Sequence, residues 1–572
     1  VYKDNPLLYL FKKISWPWSL IALSIFISSL GSLTGILIPL FTGKIVDNFT
    51  HGGINFYFII IFCSIFILNA LLGGIGLYLL IKIGEHVIYS IRKLLWKHLI
   101  YLNTTFFDRN ENGQIISRIT DDTNLINIFI SQKLPSLFPT LLTVIGSIIM
   151  LLILDWKMTM LIFTVLPILF VIMIPLSKII QRISFKTQKE IADFSGFLGK
   201  IITVIRLVKV SNTEEQELKK SYKSLEKIYI LGIKRAKIFA LIQPLSSLTI
   251  LLSIGIILGF GGIRVVEGAI TSGTLVSMIF YVIQLSMPLT NLSTLFNDYQ
   301  KAVGGSQRIY EIMKEKEENY NLCTSTKPFE DGDLIFKNVS FKYKNLWILK
   351  NLNLYIEKGT TVALVGPSGS GKTTILNLIS RIYSINQGNI TINNKSIYDI
   401  DLTSLRKNIG HAMQDNNLIS GSIEHNLMYG TNKKINYSEL IEYTQLTNCH
   451  NFIQQLQKDY KTVVEENGKN LSGGERQRIN ITRNFIKNPN ILLLDEITSN
   501  LDSNSELKIQ RALNHLMKNK TILISAHRLS TIKSADKIIF LDNGVITGEG
   551  THETLLNTHD KYRNFVLSQK ID

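Results

Sequence analysis

Residues 361 to 374 read TVALVGPSGSGKTT, an apolar run that passes into a glycine loop of the form GxxxxGK[ST]. That spacing is built for phosphate. Gly366, Gly369 and Gly371 let the backbone curl until its N–H groups and the start of the next helix face anionic oxygens. Lys372 would neutralise the β and γ phosphates and the Thr373 hydroxyl would ligate Mg²⁺, with Pro367, Ser368, Ser370 and Thr374 completing the nucleotide-binding set. A second element, ILLLDE at Ile491 to Glu496, sends four apolar residues into two carboxylates. Asp495 would hold Mg²⁺ through water, and Glu496 is placed to polarise an attacking water. Alone, such a run is more commonly a strand end with solvated acids. Paired with the glycine loop, it points to hydrolysis of a nucleoside triphosphate.

Between these elements lies LSGGERQR, Leu471 to Arg478. With LSGG, the glycine loop and the Asp-Glu pair at these spacings, the chain resembles the ATP-binding cassette exporters over nearly its whole length. The resemblance implies ATP and Mg²⁺ as cofactors. It implies that Leu471, Ser472, Gly473, Gly474 and Glu475 form a signature segment whose helix start contacts the γ-phosphate held by a second subunit, so that two cassettes sandwich two nucleotides head to tail. Tyr343 in FKNVSFKY resembles the aromatic that stacks on adenine, and Gln414 in HAMQD the glutamine that senses Mg²⁺ and couples to the membrane half. Asp502 in SNLD resembles the aspartate of the loop crossing the dimer interface, and His527 in SAHRLS the switch histidine at the γ-phosphate. Glu475 stands where Gln is usual, which adds a carboxylate near the nucleotide and is expected to weaken binding modestly. Asn467 replaces an arginine in VEENG, Val464 to Gly468. Because the position of Glu496 is intact, the cassette reads as active rather than regulatory.

The elements before the cassette are of another kind. Six runs near Trp18 to Phe41, Phe56 to Ile81, Leu134 to Leu154, Met158 to Leu176, Ile238 to Ile263 and Gly273 to Leu295 are long enough to cross a bilayer and contain no Asp, Glu, Lys or Arg. The segments between the second and third and between the fourth and fifth runs are long and keep a helical rhythm, so helices should extend well past the bilayer. Those segments and the N-terminal stub carry 24 Lys and Arg, whereas the three short loops carry only Lys44, Lys157 and Arg264. Basic loops stay inside, which places both termini and the long segments in the cytoplasm. The hairpin turns are expected at Phe106 to Asp122, with Gly113 as the break, and at Arg206 to Glu217.

The net charge of +17 would suit nucleic acid, but its crowding around the apolar runs has the membrane explanation, so no nucleic-acid partner is expected. Cys63, Cys323 and Cys449 have neither metal nor redox spacing. No cleavable leader is expected, and with the first run so near the start of the sequence no preceding peptidase domain is expected either. Uncharged spans make a pump of small ions improbable. The amides Asn69, Gln243, Gln284 and Asn291 either bond helix to helix or form a substrate cavity.

The expected fold is a multidomain membrane protein. An all-α six-helix transmembrane domain with long cytoplasmic extensions (1–315) and a linker (316–332) lead to an α/β P-loop domain with an antiparallel β subdomain and a helical subdomain (333–572). The expected function is ATP-driven export of a hydrophobic or amphipathic drug, lipid or peptide by a homodimer in a bacterial plasma membrane, a heterodimer being the other arrangement. A nucleotide-gated receptor would need binding without turnover, and a soluble ATPase would not need the spans.

Overall fold

The computed structural model describes residues 6–50, 53, 56–318, 328–431, 435–496, 508–509, 511–512, 518–526 and 529–569. The chain divides into two compact units, Val1–Ile100 with Asn112–Lys314, and Tyr101–Glu111 with Glu315–Asp572. The tip of the first hairpin thus belongs to the cassette unit, although it lies within the stretch 1–315 expected to form one domain.

The first unit is built from long helices, α1 (Trp18–Thr50), α2 (Phe56–Ile100), α3 (Leu137–Leu154), α4 (Trp156–Thr203), α5 (Glu214–Val266) and α6 (Ser272–Lys314). Each of the six apolar runs lies largely inside one of them. At 1.5 Å per residue the 45 residues of α2 span about 68 Å, more than twice a hydrocarbon core. By length and composition, three stretches among the described residues could cross a membrane: Trp18–Thr50, Phe56–Ile100 and Asn112–Leu154. Leu251–Val266 and Ser272–Leu285 are shorter apolar stretches.

Neighbouring helices meet closely where side chains are small. A Cβ on Gly273 would come within 2.0 Å of the Gly43 carbonyl oxygen, so α1 and α6 could not approach as they do with any larger residue there. The same pair is bonded side chain to backbone: Tyr281 Oη donates to the Ile36 carbonyl at 2.7 Å and Ser277 Oγ to that of Pro39 at 2.8 Å. At the turn between α3 and α4, Asp155 adopts an extended φ of −159° and accepts from Met158 N at 2.9 Å, capping α4. The same buried carboxylate is paired with Arg264 at 2.6 Å, so the charge is not left alone in an apolar setting.

The first hairpin turns earlier than Gly113. A short helix Thr104–Arg109 ends at Asn110, whose backbone is extended and whose Nδ2 caps the Phe106 carbonyl at 2.8 Å; Gly113 lies inside the next helix, Asn112–Ser117. The second turn is at Ser211 and Asn212, within the expected stretch, and Asn212 takes the left-handed φ of +52° that asparagine tolerates.

In the second unit β1 (Leu334–Tyr343), β2 (Leu346–Ile356), β4 (Gln387–Ile392) and β5 (Lys395–Ser396) form an antiparallel sheet in the order β2-β1-β4-β5. Six further strands form a mixed sheet in the order β12-β11-β3-β10-β9-β6: β3 (Thr361–Val365), β6 (Ile409–Ala412), β9 (Ile491–Asp495), β10 (Thr521–Ser525), β11 (Lys537–Asp542) and β12 (Val545–Gly550), while β7 (Gly421–Ser422) and β8 (Val463–Val464) form a separate antiparallel pair. Its centre is parallel, and β9 and β10 are buried along their whole length. Continuous apolar runs such as ILLL and TILI suit this position, because both sheet faces are covered. Each such side chain contributes about 1.5–3 kcal/mol of burial, which fixes the strands that carry the site. Helices α7 (Lys372–Ile379), α8 (Leu402–Asn408) and α9 (Gly473–Lys487) stand around this sheet.

Candidate active site

The glycine loop leaves β3 and enters α7. Gly366, Gly369 and Gly371 have φ of +152°, +79° and +104°, a region that L side chains rarely adopt. A Cβ on Gly366 would also lie 2.1 Å from the Leu541 carbonyl oxygen. Lys372, the first residue of α7, is buried and folds back so that Nζ donates to the carbonyls of Gly366 at 2.8 Å and Pro367 at 3.0 Å. Burial lowers its pKa, while Glu496 and Asp495 act in the opposite sense. Its ammonium therefore has weak local acceptors, which a phosphate would replace with full charge. Ser370 Oγ is buried without a hydrogen-bond partner, as a donor aimed at an absent anion would be. Pro367, Ser368 and Gly369 form the exposed lip of the loop, and Thr374 is buried behind it.

The parallel register of β9 and β10 sets Ser525 beside Asp495. Asp495 is buried at the strand end and accepts from Thr373 Oγ1 at 3.1 Å. Burial raises its pKa and the Thr373 bond partly offsets this. A hydroxyl and a carboxylate are hard oxygen donors, the pair a Mg²⁺ uses when phosphates and water supply its other ligands. Among the described residues no three His, Cys, Asp or Glu converge to make an all-protein metal cage.

Glu496 follows at a φ of +49°. Its Oε2 accepts from Gln414 Nε2 at 2.9 Å, its carbonyl accepts from Gln477 Nε2 at 3.2 Å, and its N–H donates to the Ser525 carbonyl at 3.3 Å. The structure thus brings Lys372, Thr373, Asp495, Glu496 and Gln414 together. Sequence reading passed over Gln477, buried on α9 one turn behind the signature segment; being one residue of LSGGERQR, it carried no separate signal. Such a constellation can grip a phosphate chain, seat a divalent cation and present a carboxylate to water.

Tyr343 ends β1, its ring edge-on to Phe341 at 4.8 Å and to Tyr383 at 5.1 Å. Tyr383 was not singled out from sequence. Its hydroxyl donates to Asp108 Oδ2 on the first hairpin tip at 2.8 Å, and burial, then that bond, pushes its pKa up.

At the signature, Leu471 is buried and Gly473 and Gly474 open α9, with Ser472 as its N-cap. Ser472 Oγ accepts from Glu475 N at 3.3 Å and Glu475 Oε2 accepts from Ser472 N at 2.7 Å. This is a capping box, and it gives Glu475 a structural task that the expectation of a merely repulsive carboxylate left out. Asn467 sits at a φ of +56° in a tight turn. Asp502 and His527 lie outside the described residues, as do the side chains of Gln243 and Asn291. In the first unit, Asn69 Nδ2 donates to Gly31 O at 2.6 Å and Thr34 Oγ1 at 3.1 Å. A Cβ on Gly35 would meet the amide nitrogens of Asn69 at 3.2 Å and Gln284 at 3.6 Å, so those two amides converge on one glycine.

Family models match this arrangement along the chain: the ABC transporter transmembrane region over residues 21–289 and the ABC transporter domain over 349–499. A multidrug resistance ABC transporter ATP-binding and permease protein of Lactococcus lactis is 34% identical over 94% of this chain and 91% of its own length. An ATP-dependent lipid A-core flippase of Syntrophus aciditrophicus is 35% identical over 84% and 80%. The ABC-type oligopeptide transporter ABCB9 of Homo sapiens is 30% identical over 96% and 73%. With a phosphate loop, a buried acidic strand end and a capped signature helix behind a long-helix unit, the chain belongs to the ABC transporters, as an ATP-hydrolysing half-transporter of the exporter type.

Proposed function

We propose that this half-transporter exports a hydrophobic or amphipathic molecule by alternating access, as a homodimer spanning a bacterial plasma membrane six times per chain with both termini inside. The observation that carries the cargo reading is the combination of six charge-free runs with neutral amides, of which Asn69 and Gln284 meet at Gly35. A cavity of that kind offers hydrogen bonds but no fixed charge, so cargo would be selected by apolar surface. The relatives' names, multidrug transporter, lipid A-core flippase and oligopeptide transporter, cover three cargo classes that share this character.

In the cycle, ATP bound by Tyr343, the loop from Gly366 to Thr374 and Asp495 in one chain meets Ser472, Gly473 and Gly474 of α9 in the other. Lys372 leaves its carbonyl partners for the β and γ phosphates. Thr373, Asp495 and Gln414 would hold Mg²⁺, which would supply charge neutralisation for the transferring phosphate. Glu496 orients the attacking water, with His527 at the γ-phosphate and Asp502 at the interface. Closure of the cassettes opens the membrane cavity outward and hydrolysis resets it.

ATP-dependent uptake of lipophilic dyes, fluorescent lipids and labelled peptides into inside-out vesicles tests direction and cargo together. Uptake that follows hydrophobicity, with a rank order altered in Gln284→Ala, supports the reading. Uptake governed by charge sign, or absence of uptake by a chain that turns over ATP, defeats it.

A further inference from the structure

The main chain crosses between the two units at three points: Ile100 to Tyr101, Glu111 to Asn112, and Lys314 to Glu315. Within the cassette unit, the first and third crossings are stitched together. Glu318 N donates to the Tyr101 carbonyl at 2.6 Å, and Leu102 pairs with Glu317 in an antiparallel bridge. The Glu317–Glu318 strand of this stitch is then held by one side chain. Arg406, on α8, donates Nη1 to Glu318 Oε2 at 2.7 Å and Nη2 to Glu318 Oε1 at 3.1 Å, a two-pronged pair whose members are 29% and 13% exposed.

The rest of the guanidinium faces the other way. Nε donates to the Ser380 carbonyl at 3.3 Å and Nη2 to the Arg381 carbonyl at 2.9 Å. Ser380 closes α7, the helix that Lys372 opens on the phosphate loop, and Arg381 follows with a φ of +52°. These carbonyls lie at a helix end, where main-chain acceptors outnumber the donors of the helix itself, so a cation there is favoured twice, by hydrogen bonding and by the helix dipole. Meanwhile, Lys487, the last residue of α9, donates Nζ to the main-chain carbonyls of Arg406 at 2.6 Å and Ile409 at 2.7 Å. The two helices whose first residues face nucleotide, α7 at the phosphate loop and α9 at the signature, therefore have their far ends bonded to the same few residues.

We propose that Arg406 is a positioning residue of the transport cycle: it joins the far ends of the phosphate-loop and signature helices to the linker, and so passes nucleotide occupancy to the chain crossings. The planar fork is required, because four directed bonds to three residues use donors that a lysine ammonium does not have in that geometry. The bonds described for the Arg406 side chain go to Glu318, Ser380 and Arg381, away from Lys372 and Glu496, so its loss should spare chemistry and cut transmission. The inference rests on the alternating-access reading, and the test separates the two.

The full chain in lipid nanodiscs, with Cys63, Cys323 and Cys449 replaced and Glu267→Cys introduced in the third short loop, is labelled by a thiol reagent with and without ATP and vanadate. In this parent, nucleotide changes the labelling rate about fivefold or more, the scale of a working coupling, and in Arg406→Ala the ratio falls to about one. ATP hydrolysis in Arg406→Ala stays within about threefold of the parent. Glu318→Gln, which weakens the pair and leaves the Ser380 and Arg381 carbonyls served, gives an intermediate ratio, and Arg406→Lys resembles the alanine variant more than the parent. A parent that hydrolyses ATP while its loop ignores nucleotide overturns alternating access and the junction together. A responsive parent with an equally responsive Arg406→Ala overturns the junction alone. So does a parallel fall of hydrolysis, response and thermal midpoint in all three variants, which would mark a merely structural ion pair.

Discussion

Replacing Glu475 separates the capping task of its side chain from its charge. The Glu475→Gln variant would keep an oxygen in place for the Ser472 N–H, now bonded at 2.7 Å, whereas Glu475→Ala would leave that donor without its acceptor and lose half of the box. Loss of a cap costs about 0.5–2 kcal/mol, and the glutamine change removes only charge assistance and a favourable dipole contact of about 0.3–1 kcal/mol. Glu475→Ala should therefore unfold earlier than Glu475→Gln. Nucleotide turnover should move in the opposite sense. The same helix start is proposed to receive a phosphate held by the partner chain, and removal of a carboxylate within that first turn relieves repulsion of the same ~0.3–1 kcal/mol. Since about 1.4 kcal/mol is tenfold, KM for ATP should fall about two- to fivefold in Glu475→Gln, and the gain should shrink in high salt. The assay is steady-state hydrolysis by the purified chain in nanodiscs at low and high ionic strength, beside thermal unfolding. A KM that is unchanged or higher, or a glutamine variant as unstable as the alanine one, would refute the division of tasks.

Glu496→Gln should bind ATP and hold the cassettes closed without turnover, whereas Lys372→Ala should lose affinity itself; nucleotide trapping measured beside hydrolysis distinguishes them, and near-normal turnover by Glu496→Gln would displace it as the base. A cysteine at Glu267 should react with an impermeant thiol reagent on intact cells and one at Asn112 should not, with labelling at Asn112 overturning the orientation. His411 is buried, its pKa pushed from 6.5 to about 4 by burial and then by Lys487. Its unfolded form takes up protons first, so stability present above pH 6.5 is lost as pH falls toward 4, by roughly 2.5 kcal/mol at pH 4.5. Thermal midpoints of the parent and His411→Gln from pH 7 to 4.5 should converge on acidification, and parallel curves would dismiss the histidine as the cause.

The phosphate loop was legible because its chemistry restricts residue type at each step: only glycine accepts the conformations at 366, 369 and 371, and only a lysine at 372 reaches the phosphates as a cation. The long helices were legible through a length rule, although their ends were not, since α2 runs on to Ile100 through residues that alternate apolar and charged without a break. Gly113 was misread because glycine in a polar stretch suggests a turn; the stop came from Asn110, whose side chain bonds back to its own helix. Pairs such as Tyr383 with Asp108, and Arg406 with Glu318, leave no periodic or motif signal, being 275 and 88 residues apart. Glu475 lay between these cases. Ser472 and Glu475 at N-cap and N3 spell a capping box in plain sequence, a spacing signal separate from the charge that distinguishes Glu475 from glutamine.

Around Glu496, proposed above to orient the attacking water, the neighbouring residues matter as much as the carboxylate. A left-handed backbone at a glutamate costs about 1 kcal/mol or more, and such strain persists only where neighbours over-determine it. Here every polar group of the residue has a tether: its N–H on Ser525, its carbonyl on Gln477 and its carboxylate on Gln414. The two adjacent carboxylates serve different partners, Asp495 accepting from Thr373 and Glu496 from Gln414. Gln414 suits the third tether for a reason specific to amides. Its nitrogen donates to Glu496 and its oxygen is a hard acceptor, so one planar group has the donors and acceptors to hold the proposed base and to ligate the proposed cation. A glutamate at 414 would repel Glu496, and a lysine would offer no oxygen.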